Sequence, residues 1–305
     1  MVEYTPEGKG RDARRMTESQ LAEAFADGSI LESTALAYDR ERQLVFELAG
    51  RPARMPHDEC AAGAAEGAVR DVALLTRVGR PTCFRVTALP GEAGGAYLLS
   101  RRLAQEACQR DYLDALLPGE LVTCVVTHLE SFGAFCDVGC GISALLPIDC
   151  MSVSRIQSPA DRVGVGQQLT CAVKSRDDRG RLVLTLRELL GTWQENADRF
   201  HAGETVVGLV RSVESYGVFI ELAPNLAGLA ERCEGLRPGQ PVSVFIKSIL
   251  PEKMKIKLVI VNRELAGPLF FAPRYFITEG RLERWVYSTP GSKKRIETDF
   301  GPAAL

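Results

Sequence analysis

Short runs of alternating apolar and polar residues, separated by glycine-containing turns, cover most of this chain. Between residues 117 and 190, β-branched residues are dense and five such runs predict five strands. The only helix-like piece of this segment lies between the third and fourth runs, in the polar stretch 152–166. Residues 202–266 follow the same plan, with the corresponding connection at 231–239 cut to a few residues. Five short strands with one interruption are typical of a small closed barrel of the OB type, so the pattern predicts two such barrels.

One phrase occurs at the same place in both predicted barrels. Residues 130–138 read ESFGAFCDV and residues 214–222 read ESYGVFIEL, which is an offset of 84 positions. Upstream, Gly119-Glu120 matches Gly203-Glu204 at the same offset. A constant offset over this length indicates an internal repeat rather than two unrelated barrels.

The segment 28–116 is a weaker copy of the same plan. No glycine between two aromatic residues occurs in it. Its strand-like runs nevertheless follow the order of the other two segments: ILESTALAY, RQLVFELAG, PTCFRVTAL and GAYLLSRRL. We therefore expect a degenerate first barrel here.

The N-terminal segment, residues 1–27, is predicted to begin disordered and to end in a short helix. Its first sixteen residues are polar and carry several glycines and arginines. Thr17 and Gln20 then have the spacing of a capping box, and Gly28 is a natural helix end.

Helical spacing returns between the two barrels, where LRELLGTWQENADRF predicts a linker helix over 191–201. The C-terminal segment 267–305 alternates and turns at Glu279-Gly280 and Pro290-Gly291, so we expect a small three-stranded meander. The predicted fold is thus mainly all-β: tandem five-stranded OB barrels with short linker helices and a C-terminal β-meander.

Charge is distributed unevenly, although the net charge of the chain is only −2. Residues 1–116 carry 15 Lys/Arg and 18 Asp/Glu, whereas residues 267–305 carry six and four. This distribution excludes a uniformly polybasic nucleic-acid binder whose affinity comes only from counterion release. It allows a local site built on stacking with a few cations.

Cysteine usage and hydropathy indicate a cytoplasmic protein. The nine cysteines form no CxxC pairs, which predicts reduced, buried thiols rather than a disulfide framework or a zinc site. No apolar run approaches the roughly 20 residues of a membrane helix, and no apolar stretch follows the N-terminal charges as in a signal peptide. We expect a monomer that does not associate with membranes.

Signals of catalysis are poor. The chain has three histidines and neither a P-loop nor a nucleophile elbow. Residues 139–144 fit the dinucleotide fingerprint G-x-G-x-x-A on paper, but here a strand leads into a strand instead of a helix. We therefore expect no enzymatic activity, no cofactor and no metal.

The spaced combination of Gly-Glu, Phe-Gly-x-Phe and Asp-x-x-Gly-Arg resembles the S1 RNA-binding domain, the OB-fold module of ribosomal protein S1. The likeness is strong over 117–190, moderate over 202–265 and weak over 28–105. The resemblance implies that two aromatics, a histidine, an aspartate and an arginine line an RNA-binding face. Carried onto this chain, it assigns Phe132, Phe135, Asp177 and Arg181 in the second barrel, and Tyr216, Phe219 and Lys255 in the third.

Both sites depart from the family pattern. The histidine position falls on Pro147 in the second barrel and on Glu231 in the third, where Pro251 also replaces the aspartate. Four lysines of the third barrel offer phosphate contacts that need no family argument: Lys247, Lys253, Lys255 and Lys257.

The aromatic positions have a physical rationale of their own. Stacking a base on an aromatic ring contributes roughly 1–3 kcal/mol whatever the base, and a glycine between two rings removes a side chain so that a nucleotide can approach. Phe132 and Phe135 are three residues apart, so on a regular strand they would point to opposite faces. A bend at Gly133 would bring both to one side; otherwise Phe135 is a core residue. We expect Phe132 to be exposed.

The resemblance implies single-stranded RNA, in particular mRNA, as the ligand and the small ribosomal subunit as a partner in translation initiation. A scaffold that binds proteins through degenerate barrels is the alternative favoured by Pro147, Glu231 and Pro251. An RNA chaperone or regulator acting away from the ribosome is a third. In the tail, we expect the aromatics to pack on the third barrel, while the role of the basic turn Lys293-Lys294-Arg295 stays open.

Overall fold

The computed structural model describes residues 4–91, 95–265, 267 and 269–301, and the chain forms two compact units. Unit 1 comprises Met1–Leu116, Thr123–Val125 and Asp137–Ser143. Unit 2 comprises Leu117–Val122, Val126–Cys136 and Ala144–Leu305. Three of the predicted segments, 1–27, 202–266 and 267–305, have an end that lies outside the described residues, namely 1–3, 266 and 302–305.

Strands dominate the described part of the chain, as predicted, and four α-helices accompany them there. The helices are α1 Glu18–Asp27, α2 Asp71–Leu75, α3 Arg101–Asp111 and α4 Trp193–Ala197. The strands of the first segment are β1 Leu31–Thr34, β2 Ala37–Tyr38, β3 Gln43–Leu48, β4 Arg51–Pro56, β5 Pro81–Ala88 and β6 Tyr97–Ser100. Those of the second segment are β7 Leu121–Glu130, β8 Gly133–Asp137, β9 Ser143–Pro147, β10 Gln168–Arg176 and β11 Leu182–Thr185. The third segment and the tail contain β12 Thr205–Glu214, β13 Gly217–Ala223, β14 Leu226–Ala230, β15 Pro241–Leu250, β16 Lys255–Asn262, β17 Arg284–Val286 and β18 Glu297–Asp299.

The second and third segments each close into a five-stranded barrel. Their strand orders are β10-β11-β9-β8-β7 and β12-β13-β14-β16-β15, in which the third and fifth strands pair in parallel. The tandem OB barrels predicted from the alternating pattern are therefore confirmed. The connection between the third and fourth strands is long in the second barrel and holds two short 3₁₀ helices, at Ile148–Cys150 and Pro159–Asp161.

The first segment has the same pairing order but is not closed. Its six-stranded sheet runs β1-β5-β6-β4-β3-β2, again with a parallel pair, β4 and β6. The predicted first strand is interrupted between Thr34 and Ala37, so β1 pairs with the fourth strand of the plan and β2 with the second. The expected degenerate barrel is thus a sheet whose two edges are the halves of one broken strand.

The N-terminal residues are packed in unit 1, so the expected disorder of the first sixteen residues is wrong for residues 4–16. Glu7 is buried and accepts a hydrogen bond from Arg101 Nε at 2.7 Å. Burial alone would raise the pKa of Glu7. The positive charges of Arg101 and Arg77 outweigh this effect, so the pKa is lowered from its usual value. The following helix α1 begins and ends as predicted, with a Thr17 capping box and Gly28 in the left-handed conformation.

Helix α3 begins inside a run that the sequence pattern assigned to a strand, and its first three residues overlap that run. The predicted run GAYLLSRRL ends as a strand at Ser100, whose side chain accepts a hydrogen bond from the Leu103 amide and begins the helix. A serine in this position is a strong N-cap, which explains why the strand stops there.

The linker between the barrels contains less helix than the predicted helix over 191–201. A 3₁₀ helix at Arg187–Leu190 and the five-residue α4 flank Gly191, which has φ +82°. A Cβ at Gly191 would lie 2.6 Å from the Phe276 ring, so this position requires glycine for space as well as for conformation.

The C-terminal tail pairs two strands, β17 and β18, rather than the three expected. As predicted, its aromatics pack on the third barrel: Trp285 and Tyr287 are buried in the core cluster of that barrel. The described part of the chain contains no helix long and apolar enough to span a membrane. Eight cysteines are buried, and Cys233 is partly exposed.

A buried ionic cluster joins the second and third barrels inside unit 2. Glu221 on β13 is completely buried and accepts hydrogen bonds from Arg162 at 2.6 Å and from Arg211. Arg162 comes from the long connection of the second barrel, so this connection covers the outer side of β13. Asn225 adds three hydrogen bonds, to the amide of Val153 and to the carbonyls of Arg187 and Gly191.

Candidate nucleic-acid interface

The register of the third barrel places five outward side chains in one row across its strands. Phe219 pairs with Ser212 on β12 and Leu229 on β14, and Leu229 pairs in parallel with Lys257. Inward neighbours such as Val218 and Leu258 are buried, which shows that this row lies on the outside of the barrel. The complete row is Ser212, Phe219, Leu229, Lys257 and Ser248.

The second barrel carries an equivalent row. Val183 pairs with Leu145 and with Ser175, and the His128 ring stacks on the Phe135 ring at 6.4 Å between centroids. The complete row is His128, Phe135, Leu145, Val183 and Ser175. Its first three members precede their counterparts in the third barrel by 84 positions, the offset of the repeated phrase. The two rows are therefore the same surface built twice.

The aromatic ring of each row packs against a second ring three residues before it, with nearly identical geometry in the two barrels. The centroids of Phe132 and Phe135 are 6.1 Å apart with the planes at 90°, and those of Tyr216 and Phe219 are 6.1 Å apart at 88°. Phe132 is 52% exposed, as expected, and Tyr216 is 67% exposed. Their partners Phe135 and Phe219 are half-buried.

Both rings of a pair lie on one side because the first ring precedes its strand. Phe132 belongs to the turn before β8, which begins at Gly133, so strand alternation does not govern its direction. Tyr216 has the same place before β13. Each barrel thus presents one exposed ring edge-on to a second, half-buried ring.

The glycine between the two rings was expected to let a nucleotide approach, but its structural role is different. A Cβ on Gly133 would lie 2.5 Å from the carbonyl oxygen of Leu146, and one on Gly217 would lie 2.6 Å from that of Ala230. Both glycines are buried, and the missing side chain would point at the neighbouring strand. The expected close approach of a nucleotide at this glycine is therefore wrong; the glycine permits close approach of the third strand.

Asp177 and Arg181 meet in the turn between β10 and β11. The Asp177 carboxylate accepts Arg181 Nε at 2.8 Å and the amides of Arg179 and Arg181 at 2.9 Å each. These hydrogen bonds, first that of the Arg181 side chain, lower the pKa of Asp177. Arg181 directly precedes β11, the strand that carries Val183 of the row. The carboxylate therefore orients an exposed guanidinium at the start of this strand.

The third barrel carries four lysines on β15, on β16 and in the turn between them. Lys257 occupies the row position of Val183, two strand spacings or about 10 Å from Phe219. Lys255 lies two residues earlier on the same side, Lys247 sits at a register shift of β15, and Lys253 ends the 3₁₀ turn Pro251–Lys253. All four are exposed, and none makes an ion pair with any described residue.

Comparison with known proteins identifies the second barrel. Residues 117–187 match the family model described as "S1 RNA binding domain". This segment is similar to the S1 RNA-binding domain family. Over 180 aligned residues the chain is 32% identical to small ribosomal subunit protein bS1 of Staphylococcus epidermidis and 31% identical to that of Staphylococcus aureus strain COL, covering 53% of this chain and 46% of each relative. The chain spans about half the length of these curated relatives.

Solved structures give weaker likenesses. A multidomain protein with nucleic acid binding domains from Streptococcus pneumoniae is 14% identical, with 78% of this chain and 75% of that chain covered at a TM-score of 0.25. The complex titled a/eIF2alpha-aDim2p-rRNA from Pyrococcus horikoshii contains a chain that is 26% identical over 27% of this chain and 50% of its own, at a TM-score of 0.23. Such scores are too low to carry an argument about the whole chain.

His128 belongs to the row of the second barrel, but the sequence did not predict it as a site residue. Its side chain is 62% exposed and its Nε2 lies 2.8 Å from Glu130, while strict alternation from the buried Val126 would place it inside. The equivalent strand β12 has a register shift between Val210 and Ser212, and such a shift moves the following residue outward. The departures Pro147, Glu231 and Pro251 belong to neither row. Of the residue types that the S1 resemblance assigns to an RNA-binding face, this surface therefore has the aromatic pairs and the cations, and a histidine at a different position.

Proposed function

We propose that this chain binds single-stranded RNA on the outer rows of its second and third barrels. The observation that carries the proposal is the T-shaped aromatic pair, found with the same geometry at the same place in both barrels. A single exposed ring is ordinary on a protein surface, but the same exposed pair at the equivalent place of two barrels supports a shared role in binding.

The chemistry of the rows suits an unpaired base. Each base has a π-face that stacks on an aromatic ring, whereas a duplex hides these faces. Arg181 at the start of β11, and Lys255 and Lys257 on β16, supply cations for the phosphates that connect stacked bases. Lys247 and Lys253 lie on the same barrel and extend this supply. These contacts read the backbone rather than the base identity.

The relatives named small ribosomal subunit protein bS1 support a place on the small ribosomal subunit. We propose mRNA as the RNA that is bound and translation initiation as the step that is assisted. In this role the chain acts in the cytoplasm as a monomeric, non-catalytic binder without a cofactor.

Fluorescence anisotropy with a labelled, mixed-sequence single-stranded RNA of about 20 nucleotides tests the proposal, since OB folds contact roughly 4–16 nucleotides each. The double variant Phe132→Ala/Tyr216→Ala should bind at least tenfold more weakly, because the loss of two stacked rings removes more than about 1.4 kcal/mol. The matched control Phe25→Ala/Phe270→Ala removes two exposed rings outside the rows and should bind like the wild type. Absence of wild-type binding at low salt would move the protein to the class of protein-binding scaffolds.

A further inference from the structure

The C-terminal hairpin is built into the third barrel rather than appended to it. Trp285 and Tyr287 are 4% and 6% exposed within the core cluster of this barrel. The Trp193 amide donates to the Tyr287 carbonyl, and the Tyr287 hydroxyl donates to the Asn225 carbonyl at 2.5 Å. The turn between β17 and β18 is therefore held in a fixed position on the barrel.

This turn rests on the short helical turn that carries Lys253. Thr289 Oγ1 donates to the Pro251 carbonyl at 2.6 Å. A Cβ on Gly291 would lie 3.2 Å from Cβ of Glu252, so the two backbones are in contact there. Lys293 follows Gly291 by two residues and Lys253 follows Glu252 by one, or about 8 and 4 Å of chain. The basic turn of the tail and the lysines of the barrel therefore adjoin.

The positive charges of this joint surface are mostly uncompensated. Lys293 and Lys294 are exposed and make no ion pair with the described residues. The nearby acid Glu297 is already engaged, since Arg284 and Arg295 each donate to it at 2.8 Å. The Ser292 hydroxyl donates to the Lys294 carbonyl and accepts its amide, which shapes the turn that presents the lysines. Glu252 contributes an exposed acidic side chain at the contact itself.

We propose that Lys293 and Lys294 join Lys253 and Lys255 in a single cationic surface that binds the phosphate backbone of RNA as it leaves the aromatic row of the third barrel. This proposal rests on the proposed function and adds a second contact region, outside the segment that matches the S1 family. The surface is continuous with the row because Lys255 and Lys257 lie on the same side of β16.

The chemistry of this surface favours a nucleic acid over an acidic protein. Lysines act as point charges towards phosphates, which need no directional match. Stable protein interfaces are depleted in lysine and centre on buried aromatic or arginine anchors. At this turn the aromatics Trp285 and Tyr287 are committed to the core, and Arg284 and Arg295 to Glu297.

The salt dependence of RNA binding by the full chain tests the proposal, with the same labelled 20-nucleotide RNA. Each phosphate contact on a single strand contributes about 0.7 to the slope of log K against log salt, so Lys293→Ala/Lys294→Ala should reduce its magnitude by about 1.4. At 0.1 M salt this corresponds to about 25-fold weaker binding if the contacts contribute nothing at 1 M. The control Arg40→Ala/Arg70→Ala removes two exposed charges of unit 1 and should leave the slope unchanged.

Three results would overturn the proposal. The first is an unchanged slope in the lysine variant, and the second is an equal reduction in both variants, which indicates a net-charge effect. The third concerns labelled poly-glutamate, used as a probe for acidic protein. If the lysine variant loses binding to this probe but binds RNA like the wild type, the surface is a docking site for acidic protein. If the wild type binds RNA through Phe132 and Tyr216 but the lysine variant behaves normally, only this inference fails. If the wild type does not bind RNA, the proposed function fails as well.

Discussion

Replacing Glu221 by alanine should destabilise unit 2 strongly, because it removes the anion that two buried arginines share. The side chains of Glu221 and Arg162 are 0% exposed and that of Arg211 is 8% exposed. After the replacement, Arg211 keeps Asp161 at 3.5 Å, whereas Arg162 keeps the Ser152 hydroxyl at 3.2 Å. The uncompensated charge is therefore concentrated on Arg162.

The magnitude follows from this burial. Removing one partner of a buried ion pair typically destabilises a protein by about 3–5 kcal/mol, because the other charge remains desolvated. An exposed pair contributes about 0–1 kcal/mol. Replacing both buried charges, as in Glu221→Leu/Arg162→Met, should recover most of the loss, since an apolar pair of similar volume avoids the desolvation of ions.

Denaturation in urea followed by tryptophan fluorescence measures this change. The chain has two tryptophans, Trp193 and Trp285, and both are buried in unit 2, so the signal reports on the barrels. The control Glu283→Ala alters a carboxylate that is 72% exposed and should leave the midpoint unchanged. A loss below about 1 kcal/mol in Glu221→Ala would refute the argument, because it is the value of a solvated pair.

Two further predictions concern the strands around the sites. Gly133→Ala should destabilise unit 2 by about 1–3 kcal/mol, measured as a lower thermal midpoint, because its Cβ would lie 2.5 Å from the Leu146 carbonyl oxygen; an unchanged midpoint contradicts this. Glu297 should titrate near 2 by NMR, because hydrogen bonds from Arg295 and then Arg284 lower its pKa to about 2. Its contribution to stability should therefore be complete above about pH 4.3 and be lost as the pH falls towards 2, and Arg295→Ala should raise this pKa.

The strands of the two barrels could be predicted from the sequence because local rules govern them. In the third barrel the run GVFIEL became β13, Gly217–Ala223, and the run KMKIKLVIV became β16, Lys255–Asn262. Alternation, β-branched residues and glycine turns act within a few residues, so they can be read without tertiary information. The repeated phrase at 130–138 and 214–222 then predicted the positions of both aromatic pairs.

Features that depend on distant parts of the chain could not be predicted in this way. Glu221 reads as a surface residue of a strand, and only the connection of the preceding barrel buries it beside Arg162. His128 reads as an inward residue by strict alternation, yet its side chain is exposed. Glu7 lies in a polar stretch typical of disorder, yet Arg101, 94 residues away, provides a buried partner.

The first segment shows the limit for strands as well. The predicted run ILESTALAY contains neither glycine nor proline, so the break between Thr34 and Ala37 leaves no clear mark in it. Strand β4, Arg51–Pro56, was missed because prolines and arginines argue against a strand. Its alternation was nevertheless present, since Ala53 and Met55 are buried.

Ultraviolet crosslinking of the full chain to a uridine-containing single-stranded RNA, with the crosslinked peptides identified by mass spectrometry, tests whether RNA lies on the outer rows. We expect crosslinks at Phe132 and Phe135 and at Tyr216 and Phe219, with His128 as an additional site in the second barrel. Crosslinks confined to residues outside both rows and both aromatic pairs would contradict the proposed function, because the RNA would then lie elsewhere on the molecule.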